Sequence, residues 1–231
     1  MIPKKIHYCW FGRNPKSKLA LKCIESWKRY CPDFEIIEWN EDNFDINHNS
    51  YTKWCYENKK YAFLSDYIRL FVVAEHGGIY FDTDVELLKP LGKLMEKDAF
   101  FGFESNEYVN TGLGFGSVAH GIAIEAMLRE YDELLDGTKG LIKCPELNTK
   151  ALKKFGLKKN GRLQEIADAT IYPIEYFNPY ESSTGRLKKT ENTISVHWYA
   201  GSWMKKKHKI RSFFTRPLHR IFGVDCFRRF R

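Results

Sequence analysis

The stretch Gly77-Gly78-Ile79-Tyr80-Phe81-Asp82-Thr83-Asp84 decides the fold, because it predicts a short buried strand over 78–82 that ends in carboxylates. The two glycines permit a tight turn, and the three residues after them have the β-branched or aromatic side chains that strands favour. Ligands gather where the strands of an open α/β sheet end. Residues two apart on an extended chain point the same way, so both aspartates are predicted to face one ion. Such oxygen ligands suit Mg²⁺ or Mn²⁺, although an Asp-x-Asp triplet is also common as a solvated turn.

The segment directly upstream, residues 61–76, predicts a largely buried helix, because it lacks Gly and Pro and is apolar on almost every side. Gly77 then offers a left-handed C-terminal cap. Asp66 and Arg69 are three residues apart and share one face of this helix. Unpaired buried charges are costly, so the two side chains either pair with each other or face a polar cavity beside the two aspartates.

The rest of the chain alternates strands with helices, which predicts one α/β domain with a mostly parallel sheet over residues 1–204, followed by a tail over 205–231. The other predicted strands cover 4–10, 34–39, 99–104, 109–117, 169–173 and 193–199, and the other predicted helices cover 17–30, 50–58, 120–135 and 147–155.

Several protein classes are disfavoured by what the sequence lacks. None of the six cysteines forms a Cys-x-x-Cys pair, which argues against zinc and thioredoxin-like sites. The sequence also lacks a Walker-type phosphate loop, a Gly-x-Ser-x-Gly motif and a His-Glu-x-x-His motif. The N-terminus leads straight into a strand, and no run of 18 apolar residues occurs. We therefore expect a cytoplasmic protein with free thiols.

The tail carries the basic character of the chain. The whole sequence has 37 Lys and Arg against 29 Asp and Glu, and residues 205–231 hold ten of the former and one of the latter. Apolar residues recur there at spacings of three and four, and Pro217 divides them into two predicted short helices. A basic amphipathic segment is typical of attachment to an anionic membrane surface. The alternatives are that its apolar face packs on the domain, that it is unstructured, or that it binds nucleic acid, which we expect least.

The residues of both central segments carry a family resemblance. Leu64-Ser65-Asp66-Tyr67-Ile68-Arg69, followed by the stretch at 77–84, resembles the glycosyltransferase sugar-binding region with a DXD motif, the signature of glycosyltransferase family 32. Residues 2–12 resemble the opening strand of that family, and His197-Trp198-Tyr199-Ala200-Gly201-Ser202-Trp203 resembles its closing motif. The pattern is also similar to the catalytic domain of glucosylating bacterial toxins.

The resemblance implies a GT-A fold and a function. The function is the metal-dependent transfer of a hexose from a nucleotide-diphosphate sugar, with a UDP-sugar favoured and a GDP-sugar possible, and with retention of configuration. The implied acceptor is a glycan or a polyprenyl-linked glycan in bacterial surface polysaccharide synthesis. Such an acceptor agrees with the interpretation of the basic tail, so we expect a peripheral location on the inner face of the plasma membrane through residues 205–231.

The resemblance also implies roles for single residues. The catalytic set is Asp82, Asp84 and Arg69. Asp84 would bind Mn²⁺ or Mg²⁺ directly, Asp82 would touch the sugar or ribose and reach the ion through water, and His197 would be a third ligand. Asp66 and Arg69 would contact the ribose or donor sugar and the phosphates.

Four further positions match donor contacts. Trp10 would stack on the base, Ser202 and Trp203 would bond the β-phosphate, and Asn110 would lie near the acceptor side of the donor sugar. Trp10 and Trp203 could instead be packing residues, and His197 a structural one.

Other functions stay open from the residues alone. An inverting enzyme would need a general base, for which Glu104, Glu107 and Asp168 are candidates that the sequence does not place. The chain could also be a non-enzymatic module that binds membrane or nucleic acid through its tail. A metal-dependent nucleotidyl or phosphoryl transferase would use the same carboxylates.

Overall fold

A seven-stranded mixed sheet forms the centre of the structure, a computed structural model that describes residues 1–136, 140–201 and 215–223. The strands are β1 (Lys5–Cys9), β2 (Glu35–Trp39), β3 (Gly78–Tyr80), β4 (Val85–Leu87), β5 (Ala99–Gly102), β6 (Phe115–Ser117), β7 (Gln164–Ile166), β8 (Ala169–Tyr172), β9 (Tyr180–Glu181), β10 (Arg186–Leu187) and β11 (Ser195–His197). The α-helices are α1 (Lys18–Tyr30), α2 (Ser50–Glu57), α3 (Tyr61–His76), α4 (Ile122–Arg129), α5 (Cys144–Lys153) and α6 (Ile174–Phe177).

The strand order of the sheet is β2-β1-β3-β6-β5-β8-β7. Five of these seven strands run in one direction, and β6 and β7 run in the other. The predicted α/β class with a mostly parallel sheet is therefore confirmed. Strands β4 and β11 form a separate antiparallel pair, and β9 with β10 forms a hairpin. The five cysteines among the described residues are buried and free.

Helix α3 is as buried as its sequence predicts, and it delivers the chain to the central strand. Leu64, Ile68 and Leu70 are completely buried, as expected of a helix that is apolar on almost every side. Gly77 follows with φ 60° and ψ 176°, so it has the expected positive φ but an extended ψ in place of a left-handed cap. A Cβ at Gly77 would lie 2.9 Å from the Pro3 side chain, so only glycine fits this turn into β3.

Strand β3 ends two residues before Asp82, which corrects the predicted strand over 78–82. Residues 83 and 84 form a turn, in which the Val85 backbone N–H donates to the Asp82 carbonyl at 2.9 Å. The two aspartates therefore do not share one face of a strand. They converge because the chain turns between β3 and β4.

Two other predicted elements are shorter than expected. The strand predicted over 109–117 is only β6, because Asn110 Oδ1 accepts a hydrogen bond from the Gly112 backbone N–H and starts a 3₁₀ turn at Thr111–Leu113. In place of the helix predicted over 120–135, α4 ends at Arg129 and a separate 3₁₀ turn follows at Asp132–Leu134. Strands β4, β7, β9 and β10 were not predicted, since two or three residues carry too little pattern to identify.

A buried histidine ties β1 to the entrance of β3. The Trp39 indole N–H donates to His7 Nδ1 at 3.1 Å, so Nε2 carries the proton and donates to the Gly77 carbonyl at 2.9 Å. Burial lowers the pKa of His7 to about 4, the Gly77 bond opposes this, and His76 and Lys5 lower the pKa further. The neutral ring is thus the form that this network holds.

We expect this histidine to make the protein less stable in mild acid. Between the unfolded pKa of 6.5 and the folded pKa of about 4, the unfolded chain binds a proton that the folded protein does not. Stability therefore falls as the pH decreases through this window, by about 2 kcal/mol at pH 5 relative to neutral pH. We expect the free energy of unfolding in urea to depend less on pH in His7→Gln than in the wild type, by a slope that corresponds to roughly one proton. His120→Gln, at an exposed position, is the control, and an unchanged slope in His7→Gln would contradict the assignment.

The tail contacts the domain through charged groups in the part that the structure describes. Residues 215–222 form a helix whose first turn contains Pro217, a position where proline is tolerated. Arg216 Nε donates to the Ser182 carbonyl at 3.0 Å, and Arg220 binds the carbonyls of 184 and 185 in the β9–β10 hairpin. The alternative that the apolar face packs on the domain is wrong for this helix, because its apolar side chains are 40%, 73% and 66% exposed (Leu218, Ile221 and Phe222). The other predicted tail helix lies outside the described residues.

Candidate active site

Three side chains from distant parts of the sequence form a potential metal-binding cluster. Asp82, Asp84 and His197 each offer one ligand atom, and these atoms lie within 4.8 Å of one another. The turn after β3 presents the two aspartates. Strand β11 presents His197, which is paired in register with Val85 of β4. The β4–β11 pairing thus brings the histidine to the carboxylates.

Asp84 is held by the segment that follows β11. Its Oδ1 lies 3.1 Å from His197 Nε2, and its Oδ2 accepts a hydrogen bond from the Ala200 backbone N–H at 2.7 Å. Burial alone would raise the pKa of Asp84, but His197 and the backbone hydrogen bond from Ala200 together outweigh burial, and the pKa is lowered. Burial likewise would lower the pKa of His197, but Asp84, with Asp82 and Glu104, outweighs burial, so the pKa is raised. The two groups form a charged pair.

Asp82 lies where negative charge is incompletely balanced. Its Oδ1 is 3.3 Å from Arg69 Nη2 and accepts a hydrogen bond from the Tyr80 hydroxyl at 3.2 Å. Burial raises the pKa of Asp82 to about 6, which Arg69 opposes and Asp84 reinforces. A divalent cation between the two carboxylates would remove the repulsion between them.

The cluster fits a divalent ion on its donor chemistry. Two carboxylates and one imidazole are ligands for ions such as Mn²⁺ and Mg²⁺, with the imidazole favouring a transition metal. His197 Nδ1 is buried and has no hydrogen-bond partner among the described residues. A group outside the described chain would complete its bonding.

Arg69 links helix α3 to the cluster. Its Nη2 lies 2.5 Å from Asp66 Oδ1, its Nε donates to the Ser65 carbonyl at 3.1 Å, and its guanidinium lies 5.2 Å from the Tyr80 ring centre. Only 3% of Arg69 is exposed. Both alternatives for this pair hold at once, because Arg69 binds Asp66 and also faces Asp82.

Gly112 lies directly against this cluster, and the sequence analysis assigned it no role. A Cβ at Gly112 would lie 2.7 Å from Asp82 Oδ2 and 3.0 Å from Arg69 Nη1. The Asn110 side chain, whose oxygen accepts hydrogen bonds from the Gly112 N–H and the Cys144 thiol, fixes this approach. Asn110 thus lies at the edge of the site. The sequence Asn110-Thr111-Gly112, which is typical of a turn, could have drawn attention to Gly112.

We expect Gly112→Ala to impair activity more than stability. The added methyl group must displace Asp82 or Arg69, so any activity that depends on this cluster should fall about tenfold or more, as for other small displacements of reacting groups. Gly116→Ala is the control, because its methyl group would meet the Phe100 ring at 2.5 Å in the core. That control should lower the melting temperature and leave the donor KM unchanged. Equal losses of transfer and stability in both variants would contradict the role given to Gly112.

The remaining donor positions are placed only in part. Trp10 follows the end of β1, is partly exposed, donates from Nε1 to the Asn14 carbonyl at 2.7 Å and lies 5.8 Å from Lys16 Nζ. It is therefore not a fully buried core tryptophan. Ser202 and Trp203 lie outside the described residues.

The three carboxylates that are candidates for a general base lie in different environments. Asp168 accepts two backbone hydrogen bonds at the start of α4 and so caps that helix. Glu107 pairs with a lysine at the surface. Glu104 accepts a hydrogen bond from the Tyr199 hydroxyl at 3.1 Å, and the Tyr199 ring centre lies 4.1 Å from that of His197. Of the three, Glu104 is the one beside the cluster.

Comparisons with known proteins agree with this geometry. Residues 17–101 match the family described as glycosyltransferase sugar-binding region containing DXD motif. The chain is 26% identical over 156 residues to human alpha-1,4-N-acetylglucosaminyltransferase, covering 66% of this chain and 40% of that protein. It is 26% identical over 110 residues to inositol phosphoceramide mannosyltransferase 1 of Schizosaccharomyces pombe, covering 43% of this chain and 33% of that protein. The chain thus spans less than half the length of these relatives.

A solved structure supports the fold. The PaToxG glycosyltransferase superposes with a TM-score of 0.52 at 18% identity, covering 66% of this chain and 69% of that one. The predicted GT-A fold is confirmed. The family match includes both the Asp66–Arg69 helix and the turn with Asp82 and Asp84. Residues 17–101 of the chain therefore resemble the glycosyltransferase sugar-binding region that contains a DXD motif.

Proposed function

We propose that the protein transfers a hexose from a nucleotide-diphosphate sugar, with a UDP-sugar favoured, to a glycan or lipid-linked glycan, with a divalent ion and with retention. The observation that carries this proposal is the convergence of Asp82, Asp84 and His197 within 4.8 Å, next to buried Arg69. Asp84 and His197 would hold the ion directly, and Asp82 would reach it through water. The ion, Mn²⁺ or Mg²⁺, would supply a Lewis acid for the leaving diphosphate.

The chemistry requires positive charge where the leaving group departs. The bond between the anomeric carbon and the phosphate oxygen breaks, and a bond from that carbon to the acceptor oxygen forms. The acceptor proton passes to the departing diphosphate. Arg69 contributes a fixed positive charge that its two carboxylate partners keep in place. Trp10 would stack on the base, Asp66 would contact the ribose or sugar, Ser202 and Trp203 would bind the β-phosphate, and Asn110 would face the acceptor side.

The first test is thermal stability with UDP, GDP, CMP and ATP, each with and without Mn²⁺. A ligand that binds only the folded state stabilises it by about 2.7 kcal/mol at a hundredfold excess over Kd. We expect stabilisation by UDP, or by GDP, that depends on the metal. Stabilisation by ATP or CMP in its place would favour a nucleotidyl or phosphoryl transferase. No shift with any nucleotide would contradict the proposal.

We further propose that residues 205–231 attach the enzyme to the inner face of a bacterial plasma membrane, where surface polysaccharides are built on lipid carriers. The tail holds ten basic residues and one acidic residue. The helix over 215–222 presents apolar side chains outward while its arginines bind the hairpin. Within the described ranges, every helix is too short or too polar to cross a bilayer.

We expect the double variant Ile221→Ser/Phe222→Ser to weaken binding to anionic vesicles. These two side chains are 73% and 66% exposed, and each apolar group inserted at the interface contributes about 1–2 kcal/mol. The fraction bound to phosphatidylglycerol vesicles should therefore fall about tenfold or more in a sedimentation assay. Leu163→Ser, at a 55% exposed leucine outside the tail, is the control. Equal binding by all three proteins would contradict the attachment.

A further inference from the structure

A cavity of about 650 Å³ adjoins the cluster of Asp82, Asp84 and His197, and none of the described residues assigned above to donor binding lines it. Glu104 and Tyr199 connect the two places, because both line the cavity and the Tyr199 ring lies against His197. The opposite wall is the β9–β10 hairpin with the loop before it, which the helix over 215–222 braces. A molecule in this cavity would therefore lie close to His197, with Tyr199 between them.

The lining carries the groups that recognise sugar hydroxyls. Asn178 is 8% exposed, and its Oδ1 has no hydrogen-bond partner among the described residues. Its Nδ2 donates to the Glu104 backbone carbonyl at 3.0 Å, which fixes the amide in place. The hydroxyls of Ser182, Ser183 and Thr190 also line the cavity. Glu104 takes one hydrogen bond from described residues, that of Tyr199, so its carboxylate retains capacity to accept another.

An aromatic face and the charge of the lining narrow the choice of ligand. Tyr180 lines the cavity, and its ring is fixed by contacts with the Trp198 ring at 5.3 Å and with the Arg216 guanidinium at 5.8 Å. Such a fixed ring is suited to the apolar face of a pyranose. The lining has three carboxylates and one ammonium group (Glu104, Glu175, Glu181 and Lys188), which disfavours an anionic ligand.

We propose that this cavity binds the acceptor, and that the acceptor ends in a neutral or amine-bearing pyranose, not a uronic acid. Glu104 accepts a hydrogen bond from an acceptor hydroxyl and positions it toward the donor sugar. This inference rests on the proposed glycosyltransferase function, to which it adds the chemical class of the acceptor.

The test measures saccharide binding directly, by saturation-transfer NMR with UDP and Mg²⁺ present. The probes are p-nitrophenyl glucoside, galactoside, mannoside, N-acetylglucosaminide, glucosaminide and glucuronide. We expect the neutral or amine-bearing probes to bind and the glucuronide to bind least. Glu104→Gln should weaken binding about 10- to 100-fold, the loss expected for a hydrogen bond to a charged group. Glu175→Gln/Glu181→Gln should improve glucuronide binding, because it removes two negative charges.

Glu107→Gln is the matched control, since it makes the same change three residues away at the surface. It should bind the probes like the wild type. The inference is overturned if no neutral or amine-bearing probe binds or if the glucuronide binds best. It is also overturned if Glu104→Gln and Glu107→Gln bind the probes equally well. Metal-dependent stabilisation by UDP or GDP is measured on the same samples. If the wild type shows no such stabilisation, the proposed function fails. If the stabilisation is present but one of the three overturning results is observed, only the acceptor assignment fails.

Discussion

Asp84→Asn is expected to abolish metal-dependent transfer while the protein stays folded. Asp84 is the carboxylate that lies within 3.1 Å of His197 and accepts the Ala200 N–H at 2.7 Å. An amide keeps the shape and can still accept the backbone hydrogen bond, but it loses the charge that attracts a cation. We expect transfer to fall about a thousandfold or more, since a bound ion contributes several kcal/mol to stabilising the leaving group. Initial rates measured against Mn²⁺ concentration check this.

Asp42→Asn is the matched control for charge and size. Asp42 has a side chain that is 68% exposed and pairs with Arg13 at the surface. This variant should match the wild type in rate and in metal dependence. Circular dichroism and melting of Asp84→Asn should show a folded protein. Wild-type rates in Asp84→Asn would exclude this carboxylate from the metal site, and a metal-independent rate in the wild type would exclude the site itself.

Arg69→Met is expected to destabilise the protein more than any other single change proposed for this site. The guanidinium is buried and lies within 3.3 Å of both Asp66 and Asp82. Methionine would fill much of the same space but would leave two buried carboxylates without their partner. Breaking a buried pair in this way costs about 3–5 kcal/mol. Urea unfolding measures the loss, and transfer should become undetectable.

Two companion variants separate charge from packing. Arg13→Met removes the exposed partner of Asp42 and should leave the free energy of unfolding nearly unchanged, because exposed ion pairs contribute little to stability. Adding Asp66→Asn to Arg69→Met should recover part of the lost stability, because it neutralises one of the stranded carboxylates. A loss from Arg69→Met as small as that from Arg13→Met would mean that the buried network does not hold the fold.

The sequence predicted the elements that carry a long or unusual pattern. Helix α3 was predicted at its observed bounds, because sixteen apolar-rich residues without Gly or Pro leave few alternatives. Strands β1, β2 and β8 were predicted to within one or two residues, as runs of β-branched and aromatic residues. The family resemblance, and not periodicity, suggested the function that we propose, and the match of residues 17–101 to a glycosyltransferase region argues against a non-enzymatic module.

The geometry of the site could not be predicted, because it depends on contacts between distant residues. No local pattern shows that β11 pairs with β4 or that His197 thereby meets Asp84. A turn follows β3 where the sequence predicted more strand. It is closed by the hydrogen bond from the Val85 N–H to the Asp82 carbonyl, which an extended strand would not form. The place of Glu104 beside Tyr199 likewise joins residues 95 positions apart.

The contacts of Asp84 with the segment that follows β11 have a consequence for synthesis on the ribosome. The backbone N–H groups of Trp198 and Ala200 bind its carbonyl and carboxylate, at 3.0 Å and 2.7 Å. A nascent chain therefore emerges with its DXD turn long before the residues that orient it, and N-terminal parts of a protein generally fold first. Under the proposed function, the site is completed only after more than a hundred further residues have been translated. Truncated products of interrupted translation should thus be catalytically silent.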